Sequence, residues 1–219
     1  MVNVPIIVYI HLCQKPYWHV TFNKIMSALR ESGLYDNLQE IRLGIVNDHG
    51  QINDDPSFHD PKISTVFFNH SSMYERATLL HMRKSAGIDN AQYLYLHSKG
   101  LKYLDGSEGE HKKNCVMDWV DLMLHWNVYH WRLASAKLFS HDVYGCEFFH
   151  GPEKHFSGNF WWANSHYVNT LPEHIGPEYC DPEFWICKRD NAIICNIHST
   201  GLSSGGQLYF NRYVKGLNY

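Results

Sequence analysis

The strongest constraint on the fold is an alternation of strand-like and helix-like segments through the first 97 residues. The apolar pattern predicts four strands and two helices, in the order β-α-β-β-α-β, over residues 4–12, 18–31, 41–46, 63–68, 73–86 and 93–97. Parallel strands need such crossover helices, which cover the faces of the sheet. We therefore predict an α/β domain with a mostly parallel central sheet.

Local signals mark the ends of the second helix and continue the pattern beyond it. Ser72-x-x-Glu75 matches a capping box at the start of this helix, and Gly87 follows its last residue. After a polar loop, residues 112–139 predict one long helix. Shorter strands are then predicted over residues 143–149, 156–163 and 192–197. Since no linker composition separates these segments, we expect residues 1–219 to form a single domain.

Composition restricts what the chain binds and where it works. A net charge of −3 argues against nucleic acid as a partner bound through bulk charge. The longest uncharged apolar run, residues 5–13, is far shorter than the ~20 residues of a transmembrane segment. Without a signal-peptide pattern, we expect a cytoplasmic protein whose six cysteines are thiols. Zinc is a less favoured alternative, because the spacings of Cys180, Cys187, Cys195 and His198 match no common zinc site.

Aromatic residues make up 15% of the chain, which also contains 16 histidines. Aromatic faces stack on sugar rings and nucleobases, so the excess favours ligands of these kinds. The alternative for any one of these rings is a place in the hydrophobic core.

Four stretches carry a more specific signal. They are YERATL at 74–79, YLYLHSKG at 93–100, HFSGNFWWA at 155–163, and PEFWI at 182–186 with His198-Ser199 beyond it. Together they resemble a family of GT-A glycosyltransferases found in bacteria and large DNA viruses, including a domain encoded by chlorella viruses. The third stretch is the most distinctive, and the four cover nearly the whole chain.

The resemblance implies a Rossmann-like GT-A domain with a nucleotide-sugar-binding half, residues 1–100, and an acceptor-binding half, residues 101–219. It implies a nucleotide-diphospho-sugar donor, a UDP- or GDP-sugar, and a glycan or other hydroxyl acceptor, without specifying the sugar. For a viral protein the expected location is the host cytoplasm.

The ends of the predicted strands offer residues for the nucleotide. His11 ends the first strand, and Asp48 follows the second, where its carboxylate can bind a base or ribose edge. Asp48 also lies in a sequence that favours a turn, which is the structural alternative. Glu75, in the first of the four stretches, completes the residues expected on the donor side.

The fourth strand ends where many GT-A enzymes carry Asp-x-Asp, which holds a divalent metal against the donor phosphates. Here the slot contains His97, Ser98 and Lys99. Lys99 supplies a positive charge that can pair directly with phosphate, and Ser98 can add a hydrogen bond. If Mn²⁺ or Mg²⁺ binds, His97 is a candidate ligand, as is His198, which stands where the family often places a histidine.

An inverting transfer also needs a base for the acceptor hydroxyl. Glu183 is the first choice and Asp181 the reserve. Glu183 follows Pro182, which fits the start of a helix, so its structural alternative is an interaction with the helix dipole. We expect Phe184 and Trp185 to bury the Glu183 carboxyl in part and raise its pKa.

The third stretch predicts the sugar-binding surface. Gly158 allows close approach of a ligand to the backbone, and the Asn159 amide can donate to and accept from sugar hydroxyls. Ser157 precedes them. Trp161 and Trp162 should point to opposite faces of a strand, so at most one of these two rings can line the site.

Together these residues predict an inverting glycosyltransferase. Alternatives within enzymes are a sugar-nucleotide hydrolase and a retaining transferase on the same fold. A different class, favoured by the missing Asp-x-Asp, is a non-catalytic domain that binds carbohydrate or nucleotide sugar.

Overall fold

Strands from both halves of the chain join one central sheet. In the computed structural model, which describes residues 4–68 and 70–213, the strands are β1 (Ile6–Cys13), β2 (Glu40–Val46), β3 (Ile63–Phe67), β4 (Gln92–His97), β5 (Val143–Gly145), β6 (Phe148–Phe149), β7 (His155–Phe156), β8 (Trp161–Asn164) and β9 (Ile194–Asn196). The α-helices are α1 (Trp18–Glu31), α2 (Leu34–Asn37), α3 (Arg76–Ala86), α4 (Glu110–Leu124), α5 (Trp131–Lys137), α6 (Ser165–Val168) and α7 (Asp181–Trp185).

The central sheet has seven strands in the order β3-β2-β1-β4-β8-β5-β9, and β6 and β7 form a separate pair. β1 pairs in parallel with both β2 and β4, and β2 pairs in parallel with β3. β8 runs antiparallel to β4 and to β5, whereas β5 and β9 are parallel. The prediction of an α/β fold with a mostly parallel sheet is therefore confirmed.

Helices cover both faces of this sheet, and β1 shows why its sequence is continuously apolar. Val8 and Ile10 point into a core shared with α1 and α4. Ile7 and Tyr9 point into a second core shared with α3, α6 and α7. A strand buried on both faces has no polar side, so its residues do not alternate. His11 continues the second face at the end of β1.

The predicted long helix over 112–139 is interrupted, which corrects the sequence interpretation. α4 and α5 are separated by a π-helical turn, His125–Tyr129. Two side-chain hydrogen bonds at Asn127 explain the interruption of the helix. The Asn127 amide donates to the carbonyl of Met123 at 3.0 Å, and Trp162 Nε1 donates to the carbonyl of Asn127 at 2.8 Å. These bonds compete with the regular helical ladder.

The capping box predicted at Ser72 and Glu75 is not formed. Ser72 lies in a short 3₁₀ turn, and Tyr74 (φ 47°, ψ −141°) separates that turn from α3. Glu75 stands at the N-cap of α3 without capping it through its side chain. Its carboxylate is engaged elsewhere, in the cavity described below.

Two of the later predicted strands are also broken. Residues 143–149 form β5 and β6, with Glu147 at φ 57° between them. Residues 156–163 divide between β7 and β8, because Gly158 and Asn159 adopt φ of 89° and 57°. These left-handed residues turn the backbone out of the sheet and place the Gly158–Asn159 turn above the end of β4.

Candidate functional site

A cavity of about 250 Å³ opens at the carboxyl ends of β1 and β4. From β1 the chain builds outward to β2 and β3, then returns to place β4 on the opposite side of β1. Such a reversal of strand order leaves a crevice between the two diverging loops. The cavity occupies this crevice, and the main polar side chains around it are His11, Glu75, His97, Lys99 and Glu183.

Two buried histidines lie side by side at the strand ends. His11 and His97 are register partners in the β1–β4 pair. His11 Nδ1 lies 2.9 Å from Thr78 Oγ1, and His97 Nε2 lies 2.9 Å from the carbonyl oxygen of Gly158. A carbonyl oxygen only accepts, so His97 carries its proton on Nε2. Burial lowers the pKa of each histidine to about 4, and both are therefore neutral near pH 7.

Glu75 is held by two donors at one oxygen. Its Oε2 accepts from the Tyr95 hydroxyl at 2.8 Å and from the Asn159 amide at 2.6 Å. Trp161 Nε1 donates to Asn159 Oδ1 at 2.8 Å and so determines which way that amide points. The other oxygen, Oε1, lies 3.7 Å from Nδ1 of His97 and borders the cavity.

Glu183 approaches the cavity from α7. Its Oε1 accepts a hydrogen bond from the backbone amide of Gly158 at 2.6 Å. Within the described residues its Oε2 has no hydrogen-bond partner. Glu183 is partly buried, Phe184 packs against His155, and Trp185 is buried in the core. The Gly158 backbone, rather than an aromatic ring, holds the carboxylate in place.

Lys99 also lines the cavity. Its Nζ lies 3.9 Å from the centroid of the Trp119 ring and 5.8 Å from that of Tyr209. Across the described part of the chain it forms no ion pair with a carboxylate. The pKa of His97 is lowered further by Lys99 and raised by Glu183, so both charges act on this ring. His97 thus lies within range of a cation and an anion that face one cavity.

Ser98 lines the cavity, whereas Asp48 does not. Ser98 Oγ accepts from the backbone amide of Cys13 at 3.0 Å, so the hydroxyl ties the ends of β1 and β4 together while bordering the cavity. Asp48 is half exposed and does not line the cavity. It pairs with Lys15 at 3.7 Å and accepts a hydrogen bond from Ser71, and both of these residues do line it. Asp48 therefore stands just outside the cavity, at its β2 side.

The expectation that Trp161 or Trp162 contacts a sugar is wrong. Both rings are 0% exposed. Trp161 stacks on Tyr95 with ring centroids 5.0 Å apart, and Trp162 donates to the carbonyl of Asn127. The two rings do point to opposite faces of β8, but helices cover both faces, so both are core.

Two further predicted residues lie outside the cavity. Ser157 is buried, and its backbone amide donates to the carbonyl of Glu147 at 2.8 Å. Asp181 Oδ2 accepts from the backbone amide of Glu178 at 2.7 Å, which stabilises the loop before α7. Neither borders the cavity, so the reserve role for Asp181 as a base is not supported.

His198 is also remote from the cavity lining. Its ring stacks on Trp126 with centroids 5.2 Å apart, and its Nε2 lies 3.9 Å from Oε1 of Glu147. Glu147 is a buried carboxyl, bound by the amide and hydroxyl of Thr200 at 2.7 Å each, and burial raises its pKa. His198 therefore belongs to a separate internal cluster, and it does not join His97 in one metal site.

The described residues do not present a set of ligands that fits a divalent metal. No group of three or more His, Cys, Asp or Glu side chains among them is arranged to hold an ion. In the cavity His97 Nδ1 and Glu75 Oε1 lie 3.7 Å apart, and His11 is the register partner of His97. Of the cysteines once considered for zinc, Cys180 is exposed whereas Cys187 and Cys195 are buried.

Several cavity residues were missed by sequence reasoning. They are mainly aromatic or basic, namely Tyr74, Tyr179, Tyr209 and Lys102. Tyr74 stands next to Glu75 in the first of the four stretches, and this position could have indicated Tyr74 as a site residue. Tyr209 has no comparable local signal, because its short 3₁₀ helix (Gly205–Tyr209) reaches the cavity only by packing against α4.

Comparison with known proteins does not assign a family to the chain. No protein-family model matches the sequence, and no curated protein is significantly similar to it. Within the described residues, none of the helices combines the length and apolar character needed to cross a bilayer.

Proposed function

We propose that the chain is a GT-A-type glycosyltransferase, which moves a sugar with inversion from a nucleotide-diphospho-sugar to a hydroxyl of a glycan acceptor. One observation carries the proposal. The carboxylate of Glu183 and the ammonium of Lys99 line a single cavity at the switch point of the sheet, and both charges act on the pKa of His97. In-line displacement needs a base for the attacking hydroxyl and positive charge for the leaving diphosphate, and these two residues supply both groups.

The donor is assigned to the lysine side. The nucleotide would lie over the ends of β1 and β2, near Asp48 and Lys15, with its diphosphate at Lys99. Lys102 adds a second ammonium to the same cavity. Preorganised cations stabilise the charge that develops on the departing diphosphate, at little reorganisation cost. This set of lysines replaces the carboxylate-bound metal that the resemblance would otherwise imply.

The acceptor is assigned to the Glu183 side. The acceptor oxygen forms a bond to the anomeric carbon while the bond from that carbon to the diphosphate oxygen breaks. The hydroxyl proton passes to Oε2 of Glu183, and the bonding electrons leave with the diphosphate. The Gly158 amide holds Oε1 at 2.6 Å, so Oε2 is the oxygen left to face the acceptor.

The floor of the cavity suits a sugar. Glu75 Oε1 and Nδ1 of neutral His97 are acceptors for donor-sugar hydroxyls. Glu75 Oε2 accepts hydrogen bonds from Tyr95 and Asn159. His97 Nε2 donates to the carbonyl of Gly158, so both acceptors are fixed in direction. A rigid polar floor distinguishes sugars by the positions of their hydroxyl groups.

A binding screen followed by one substitution tests the proposal. UDP- and GDP-sugars are screened for a rise in the melting temperature, because a ligand that binds only the folded state stabilises it. With the best donor, Glu183→Gln should abolish transfer and leave donor binding nearly unchanged, since the glutamine Oε1 can still accept from Gly158. Glu153→Gln, at an exposed glutamate, is the control.

Three outcomes would contradict the proposal. If no nucleotide sugar binds, the donor assignment fails. If a donor binds but no acceptor is glycosylated by the wild type, the chain is a non-catalytic binding domain. If Glu183→Gln retains normal turnover, Glu183 is not the base.

A further inference from the structure

Two exposed tyrosines form the rim of the cavity. Tyr74 is 45% exposed and Tyr179 is 70% exposed, yet both line the cavity. Their ring centroids are 5.4 Å apart, and the planes meet at 88°. Single exposed aromatic residues are common, but two rings in contact at the mouth of a polar cavity form a continuous apolar surface.

This rim is held in place despite its exposure. Arg76, the first residue of α3, donates through Nε to the carbonyl of Gly176 at 2.7 Å and through Nη2 to the carbonyl of Glu178. Asp181 binds the same segment by accepting from the amide of Glu178 at 2.7 Å. These bonds join the loop that carries Tyr179 to the start of α3, next to Tyr74. The rim is therefore preorganised, which lowers the entropy lost when a ligand binds.

The rim adjoins the helix that carries the proposed base. Tyr179 stands just before α7, the helix that carries Glu183. An acceptor whose hydroxyl reaches Glu183 must extend its ring from there toward the mouth of the cavity. A pyranose ring presents an apolar C–H face, and a tyrosine packs against such a face while its hydroxyl stays in water.

We propose that Tyr179, supported by Tyr74, is the acceptor subsite and packs against the pyranose ring that bears the attacking hydroxyl. This inference rests on the proposed glycosyltransferase function. A nucleobase could also stack on this ring, because burial raises the pKa of Tyr179 while Lys99 and Lys102, the lysines of the proposed diphosphate site, lower it. The test therefore measures the effects on acceptor KM and on donor KM separately.

The experiment compares four proteins with the donor and acceptor that the wild type uses. Tyr179→Ala removes the ring, and Tyr179→Phe keeps it. Phe139→Ala removes a ring of equal exposure, 69%, that does not line the cavity. Tyr179→Ala should raise the acceptor KM by roughly 3- to 10-fold, with donor KM and melting temperature unchanged. Tyr179→Phe should rescue the acceptor KM, because the ring remains, and Phe139→Ala should behave as the wild type.

Two results would overturn the subsite. One is an unchanged acceptor KM in Tyr179→Ala. The other is a rise in donor KM, which would assign the ring to the nucleobase.

A second readout needs no turnover. Saturation-transfer NMR with methyl pyranosides should show binding to the wild type and to Tyr179→Phe, and loss of binding in Tyr179→Ala. If no nucleotide sugar is bound or used but this pattern holds, the proposed function fails and the sugar subsite stands. If transfer proceeds and the pattern is absent, the subsite fails and the proposed function stands.

Discussion

The backbone amide of Gly158 donates a hydrogen bond to the Glu183 carboxylate at 2.6 Å, across 25 residues of sequence. The carbonyl of the same residue accepts from His97 at 2.9 Å. A single peptide segment thus positions one residue from α7 and one from the end of β4. Because Gly158 adopts φ +89°, both of its polar groups depend on a backbone conformation that other residues rarely adopt.

Substituting this glycine should affect stability and activity together. In Gly158→Ala the new Cβ would clash with the sulfur of Met123 and strain the left-handed backbone. We expect a loss of about 2–4 kcal/mol in the free energy of unfolding and a large loss of transfer activity. Gly109→Ala is the matched control, because Gly109 has φ +96° but open space around it. The free energy of unfolding is measured by denaturant titration. Equal losses of this free energy in Gly158→Ala and Gly109→Ala would show that the packing at Gly158 has no special role.

Removing the charge of Lys99 should weaken catalysis more than folding. Lys99→Met keeps a chain that can pack on Trp119 but loses the ammonium that faces the proposed diphosphate. We expect kcat/KM to fall by roughly 10²–10³-fold, as for the loss of a preorganised electrostatic group. Lys84→Met removes an exposed lysine of α3 and should leave kcat/KM unchanged. Similar steady-state constants for Lys99→Met and the wild type would refute the phosphate role.

The buried histidines predict a pH dependence of stability. Burial lowers the pKa of His97 from 6.5 to about 4 in the folded protein, so the unfolded chain binds this proton more readily. Stability is fully present above about pH 6.5 and is lost as the pH falls toward about 4. Relative to His97→Gln, wild type should lose on the order of 1–3 kcal/mol more over this interval. The measurement is urea unfolding at a series of pH values; parallel curves for the two proteins would contradict the assignment.

Chelation should have less effect here than on transferases that carry Asp-x-Asp. Lysines face the proposed diphosphate site, and the described residues offer no set of three metal ligands. We expect transfer to retain most of its rate in EDTA, measured with and without added Mn²⁺. Complete loss of transfer activity in EDTA, with recovery when Mn²⁺ is added, would contradict this expectation. His97 and Glu75, 3.7 Å apart, would then be the ligands to substitute, rather than the remote His198.

The local sequence pattern was sufficient to predict the elements that are buried in a simple way, either on both faces of a strand or on one face of a helix. The apolar runs of β1 and β4 predicted strands in a sheet whose faces are covered by helices, and a helix was predicted over 18–31, the bounds of α1. These features follow from side-chain periodicity, which requires no knowledge of distant contacts. The structure alone showed that His11 and His97 are register partners at the ends of β1 and β4.

Tertiary contacts decided the rest. Trp162 is core because α4 and the π-helical turn cover its face of β8, and its bond to Asn127 helps to interrupt the predicted long helix. Asp181 and Glu183 stand on one short helix, yet only Glu183 reaches the cavity, since Gly158 lies opposite it. The sequence by itself determined the main strands and helices of the first 97 residues, whereas the predicted elements beyond them were divided in the folded chain. Only the folded chain could decide which polar side chains meet, because hydrogen bonds between distant residues leave no periodic trace in the sequence.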